Sequence, residues 1–218
     1  MPGSLTLVLE TSAPKASLVL AGPDGVRAER EFSSDRSHNA VLFGPLGEVM
    51  KDLTPTEIGL ILVGCGPGSY SGTRVGIAAA QGVALAAGCP VVAVPSILAA
   101  PSAANGAICR VVGDARRGSF WISQVQNSGV AIAPELTDEE GLRRFFADSA
   151  EEPVVTFEAG ARNGFPVDLA IRRETPSARL LWEAWQKADP AERERWALEA
   201  PQPLYLRPPH ITEAKKKF

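Results

Sequence analysis

Histidine is scarce in this chain. His38 and His210 are the only two, far apart in sequence and in no HxxH or HxxxH pair. A zinc or iron centre built on paired imidazoles therefore has no local basis, and no metal site is expected. The three cysteines, Cys65, Cys89 and Cys109, form no CxxC. An odd number without metal-ligand spacing speaks against a disulfide framework and for a reduced, cytoplasmic compartment. A GxSxG nucleophile turn is missing as well, which leaves an α/β-hydrolase mechanism without its serine. Positive charge is not in excess. Lys and Arg number 22 against 25 Asp and Glu, a formal charge of −3, which argues against non-specific nucleic-acid binding as the main activity. No basic segment followed by a long apolar stretch opens the chain, so no secretory signal is expected. What remains is 218 residues, 45% apolar and 22% charged, an ordinary composition for one large globular domain or two small ones.

The most informative stretch runs Gly64-Cys65-Gly66-Pro67-Gly68-Ser69-Tyr70-Ser71-Gly72-Thr73-Arg74-Val75-Gly76. The apolar run Ile58 to Val63 feeds into it and the Ala-rich run Ile77 to Ala87 leaves it. That order reads as strand, glycine-rich turn, helix. Such a turn can aim N–H groups at an anion, helped by the helix dipole. Equally, its glycines can do no more than relieve steric strain in a tight turn. It is not a Walker loop: three residues, not four, separate Gly68 from Gly72, and Thr73-Arg74 stands where Lys-Ser/Thr is required.

The helix that follows repeats Gly72, Gly76, Ala80, Ala84 and Gly88 at every fourth position, with Ala79, Val83 and Ala87 alongside. Those positions make one ridge nearly free of side chains. A backbone can approach such a ridge closely, either the protein's own sheet or a helix of another chain. It is not a membrane span, because Gln81 and the glycines dilute it and Pro90 ends it.

Upstream, Leu5–Leu9, Ala16–Leu20 and Val26–Phe32 read as a three-stranded meander. A helix is expected from about Ser37 to Met50, with Leu42, Leu46, Val49 and Leu53 on its apolar stripe. Val91–Val94 is a further buried strand. The small, Pro- and Gly-containing stretch 99–106 divides the chain into halves 1–103 and 104–218. The second half opens as the first does, with strand Ile108–Gly113, a turn led by Asp114, and strand Phe120–Val125. A pattern repeated at half-chain distance suggests duplicated domains. Helices at Leu142–Phe146 and Ala178–Lys187, a strand at Val154–Phe157, and Leu181, Trp182 and Trp185 as core anchors complete the reading. Glu10 and Asp114 lead the two polar turns. They can coordinate Mg²⁺ or orient water, or they can be turn carboxylates accepting backbone N–H bonds. Arg116 and Arg117 offer a guanidinium fork for phosphate or carboxylate, or lie solvated or paired in the turn.

Together these segments resemble the TsaB (YeaZ) family. Leu7-Val8-Leu9-Glu10-Thr11-Ser12, Arg36-Ser37-His38, the Gly66–Gly76 motif, Asp114-Ala115-Arg116-Arg117-Gly118 and Pro203-Leu204-Tyr205-Leu206-Arg207 occur in the family's order across essentially the whole chain. The resemblance implies an actin-like/Hsp70-like ATPase (ASKHA) α/β fold of two related halves, the second reduced. It also implies a non-catalytic subunit of the bacterial tRNA threonylcarbamoyladenosine system, without a cofactor of its own. That subunit dimerises with a TsaD-like transferase, is joined by a TsaE-like ATPase, and reaches tRNA through the complex. The family's dimer surface falls on the first two helices, here on His38, Leu42 and Leu46, and on Gly72, Arg74, Gly76, Ala79, Ala80, Val83 and Ala84. A homodimer through the same helices is open when the partner is absent. A vestigial nucleotide or anion site would comprise Glu10, Thr11, Ser12, Gly66, Gly68, Ser69, Asp114, Arg116 and Arg117. Glu10 stands where the family has Asp, and its extra methylene displaces the carboxylate. The competing readings are a self-sufficient nucleotide phosphotransferase, which would need phosphate loops in both halves, and a metallopeptidase, which would need the absent histidine pair.

Overall fold

The computed structural model describes residues 4–33, 38–148, 151–158 and 164–206, the side chains of 38–40 excepted. The helix entry before His38, together with Arg207, His210 and the basic tail, lies outside the described residues.

Three strands, β1 (Leu5–Glu10), β2 (Lys15–Gly22) and β3 (Gly25–Ser33), form the expected antiparallel meander. The chain then passes through α1 (His38–Met50) to β4 (Ile58–Gly64), through α2 (Tyr70–Ala87) to β5 (Val91–Val94), and both strands add in parallel on the far side of β1. The sheet order is β3-β2-β1-β4-β5. Two short 3₁₀ turns, Ser96–Ala99 and Pro101–Gly106, carry the chain out of this sheet.

The second sheet repeats the plan. β6 (Cys109–Asp114), β7 (Phe120–Gln126) and β8 (Gly129–Thr137) form a second meander. After α3 (Glu139–Ala147), β9 (Val154–Thr156) and the two-residue β10 (Arg172–Arg173) add in parallel beside β6. Its order, β10-β9-β6-β7-β8, matches the first strand for strand. The copy is reduced, since α3 is shorter than α1 and no helix is described between β9 and β10. The sequence reading contains no strand at 129–137. Ala, Pro and Glu interrupt the alternation there, and pairing with β7 decides the conformation instead.

Strand periodicity sorts side chains into separate cores. Leu5, Leu7 and Leu9 of β1, Leu18 and Leu20 of β2, and Ile61 and Val63 of β4 pack under α1 and α2. Val8, Val19 and Leu62, one residue out of step, point to the opposite face. There they meet Val111, Trp121, Val125 and Val155 of the second sheet, with Ala178, Leu181 and Ala184 of α4 (Ala178–Lys187) and Trp196 of α5 (Pro190–Leu198) filling the space between. A third core forms where Val112, Phe120 and Ile122 meet Leu142 and Phe145 of α3. Of the anchors expected on α4, Leu181 is fully buried while Trp182 and Trp185 are half-buried.

An apolar groove and a filled cleft

The glycine-rich turn and the Glu10-Thr11-Ser12 turn grip each other. The Thr11 hydroxyl donates to the Gly72 carbonyl at 2.8 Å, and Ser69 N donates to the Ser12 carbonyl at 2.6 Å. A Cβ on Gly68 would stand 2.4 Å from that same carbonyl oxygen, so only glycine allows the approach. Ser69 caps α2, its hydroxyl accepting from Gly72 N at 3.2 Å. The Ser96 hydroxyl accepts from Gly66 N at 3.0 Å. The N–H groups of Gly66, Ser69, Gly72 and Thr73 thus all have partners within the protein. Gly68 and Ser69 meet Ser12, and Thr11 meets Gly72 and Gly76, but four of the donors that an anion would need are already used.

Glu10 lies at the bottom of this arrangement with no exposed surface. Oε1 accepts from Ser12 N at 2.7 Å, while Oε2 and the Ser12 hydroxyl are buried without a hydrogen-bond partner. Burial pushes the Glu10 carboxyl above the usual 4.5, against the opposing hydrogen bond from Ser12 N. Gly64 makes room for it, since a Cβ there would lie 2.0 Å from Oε2. A buried carboxyl disposed to hold its proton is a poor Mg²⁺ ligand.

Asp114 faces the glycine-rich turn across a cleft between the two sheets. Its carboxylate accepts from Arg116 N at 2.6 Å, from the Arg116 guanidinium at 3.0 Å and from Gly164 N at 3.3 Å. The Asx-type turn puts Arg116 and Arg117 at φ 67° and 58°, where the side-chain bond to the backbone compensates the left-handed geometry. Asp114 N donates to Glu158 Oε1 at 2.8 Å, and burial raises the Glu158 carboxyl, this bond opposing. Arg116 is therefore a turn-pairing residue, and Arg117 is exposed. Among the described residues, no group of three or more His, Cys, Asp or Glu is placed to hold a metal ion.

The ridge of α2 requires a correction. Gly72, Gly76 and Ala80 face the protein's own sheet, not solvent. A Cβ on Gly76 would come 2.2 Å from Thr11 Oγ1, so the small residues let α2 lie close on the β1 end. Leu42 is likewise buried under α1, Ala84 is half-buried on the same core, and the exposed Arg74 turns toward the cleft. The His38 side chain lies outside the described residues.

What the two helices leave outward is an apolar groove of about 570 Å³ between α1 and α2. Phe43, Leu46 and Met50 form one wall, and Val75, Ala78, Ala79, Gly82, Val83 and Ala86 the other. Phe43 is 61% exposed, and Leu85 on the outer side of α2 is 88% exposed. Leu46, Ala79 and Val83 were on the expected surface. Phe43, Ala78 and Gly82 were not, because they fall one or two positions off the ridges that the sequence emphasises.

Residues 26–139, just over half the chain, match the family model "TsaD: tRNA N6-adenosine threonylcarbamoyltransferase". The chain is 29% identical over 137 residues to the tRNA threonylcarbamoyladenosine biosynthesis protein TsaB of Bacillus subtilis, covering 61% of this chain and 60% of that one. It is 31% identical over 127 residues to TsaB of Escherichia coli, covering 55% and 54%. The chain belongs to the TsaB/YeaZ family. The matched stretch spans little more than half the length of these curated relatives. The fold extends further than the sequence likeness: YeaZ from Pseudomonas aeruginosa superposes with a TM-score of 0.70 at 20% identity, over 93% of this chain and all of that one. A second Pseudomonas aeruginosa structure, described as similar to peptidase YeaZ, gives 0.72 at 21% over 94% and 100%. This is the two-lobed actin-like fold. No described helix is long and apolar enough to cross a membrane.

Proposed function

We propose that this chain is a non-catalytic scaffold subunit in the biosynthesis of tRNA threonylcarbamoyladenosine. With residues 1–103 and 104–218 as its two halves, it binds a TsaD-like threonylcarbamoyltransferase and supports transfer to N6 of the adenosine beside the anticodon. A TsaE-like ATPase joins the pair, tRNA is reached through the complex, and the setting is the cytoplasm. The observation that carries this reading is the groove between α1 and α2. Phe43 and Leu85 stand exposed beside a wall of Gly and Ala, a surface on which another helix pair can pack closely. In isolation the same groove suits a second copy of the chain. Two features support a role without chemistry of its own. Four N–H donors of the glycine-rich turn, those of Gly66, Ser69, Gly72 and Thr73, are internally satisfied, and Glu10 is sealed from solvent.

The test is co-purification with the organism's TsaD-like protein and a threonylcarbamoyl-transfer assay on each protein alone and on the mixture. A stable complex, active only as the mixture and lost in Gly82→Arg, is expected. Transfer or nucleotide turnover by this chain alone would overturn the reading.

A further inference from the structure

Residues 201–206 leave α5 without regular structure and run between the two sheets. Leu204 N donates to the Cys65 carbonyl at 2.9 Å, which ties this segment directly to the end of β4 and the glycine-rich turn. Leu204 packs on the core under α1 and α2, and Leu206 on the core between the sheets. Tyr205 leans on Tyr70 with ring centroids 5.8 Å apart. The Arg74 guanidinium covers both rings, at 4.5 and 5.7 Å from their centroids. Gln81 Nε2 on α2 donates to the Pro201 carbonyl at 3.4 Å.

Voids flank the segment on both sides. One, of about 350 Å³, is lined by Pro67 and Gly68 from the first half, Asp114, Trp121 and Leu136 from the second, and residues 204–206. The other, of about 440 Å³, is lined by Cys65, Ala93 and Pro95 from the first half, Val130 and Pro134 from β8, and residues 202–205. Each void draws its walls from both halves and from the segment.

We infer that residues 201–206 form a built-in wedge that stands where a cleft ligand would stand and fixes how far the two halves close on each other. Several contacts meet in it. The segment hydrogen-bonds the Cys65 carbonyl just past β4, places Tyr205 under the Arg74 guanidinium, and lines the gap opposite the Asp114 turn. Without it the two voids would merge and the apolar walls at the buried Trp121 and half-buried Val130 would be hydrated. The halves would then be free to hinge, because two hydrogen bonds, at Cys65 and Gln81, and three packed side chains between them would be lost. This inference does not depend on the partner reading, and its test uses the chain alone.

The experiment is hydrogen exchange on the wild type and on two variants, Tyr205→Ala and the triple replacement Leu204→Gly, Tyr205→Gly, Leu206→Gly. Peptides covering 64–69 and 113–118 report the two turns, and those covering β1, β2 and α1 report the fold. Exchange in both turns should rise by about tenfold in the triple variant and by less in Tyr205→Ala, with β1, β2 and α1 unchanged. If the triple variant does not fold, Tyr205→Ala decides the matter. Turns as protected in a folded variant as in the wild type would overturn the wedge. So would added protection of both turns in the wild type on adding MgATP, since the cleft would then accept a ligand with the segment in place.

Discussion

Glu10 concentrates the local chemistry of this protein in one side chain. It is completely buried, holds one hydrogen bond on Oε1, and presents an unpartnered Oε2 to the space that Gly64 leaves open. Burial raises its pKa above 4.5, so the folded chain binds this proton more tightly than the unfolded chain does. Its favourable contribution is full below pH 4.5 and is lost as pH climbs through the folded value. Glu10→Gln keeps the shape and removes the titration. The stability of the variant relative to wild type should therefore grow from pH 4.5 toward neutrality and then level off, read as urea midpoints along that range. A difference that stays flat would mean the carboxyl ionises in place without penalty. The sequence identified Glu10 as the head of a turn, but not its burial, because Gly64 and Ser96, which close over it, come from more than 50 residues away.

At the scale of the element, α2 has two faces that the four-residue repeat does not distinguish. Its inner glycine, Gly76, touches Thr11, whereas a Cβ on the outer Gly82 meets nothing within 4 Å. Gly76→Val should destabilise the chain by about 2–3 kcal/mol, because the β-branched side chain must displace the β1 turn. Gly82→Arg should leave it as stable as before or raise stability by up to about 1 kcal/mol, since an exposed helix interior gains from losing glycine. Denaturant unfolding of the two variants separates these outcomes. A destabilised Gly82→Arg with an undisturbed Gly76→Val would reverse the assignment of faces. Small residues at i and i+4 were legible as a close-packing ridge, but that pattern is the same whether the neighbour is a sheet within the chain or a helix outside it. α1 is similar: its Leu42, Leu46 and Val49 stripe is buried as read, while Phe43 on the exposed side belongs to the groove.

For the molecule as a whole, the core between the sheets matters most. Val8 and Leu62 from one half, Val111 and Trp121 from the other, and Leu181 from α4 belong to one buried cluster. The two halves therefore share apolar surface, and unfolding either exposes the other's. Leu181→Ala should cost about 3 kcal/mol and lower the midpoint of a single transition, the same whether followed by tryptophan fluorescence or by far-ultraviolet circular dichroism. Two separate transitions would mean that the halves hold themselves together without this core.

The sequence by itself determined the first meander, the strand pair that opens the second half, strands β4, β5 and β9, helices α1 to α4 and the duplication of one plan in two halves. These follow from apolar periodicity, from caps such as Ser69, Asp138 and Ser177, and from turn chemistry, all of which act over a few residues. Only the tertiary structure decided β8, which takes its form from β7 rather than from its own alternation. It also decided which way the α2 ridge points, and that 201–206 is inserted between the sheets. Each of these depends on which distant surface is available to cover a given face, and local residue order leaves that choice open.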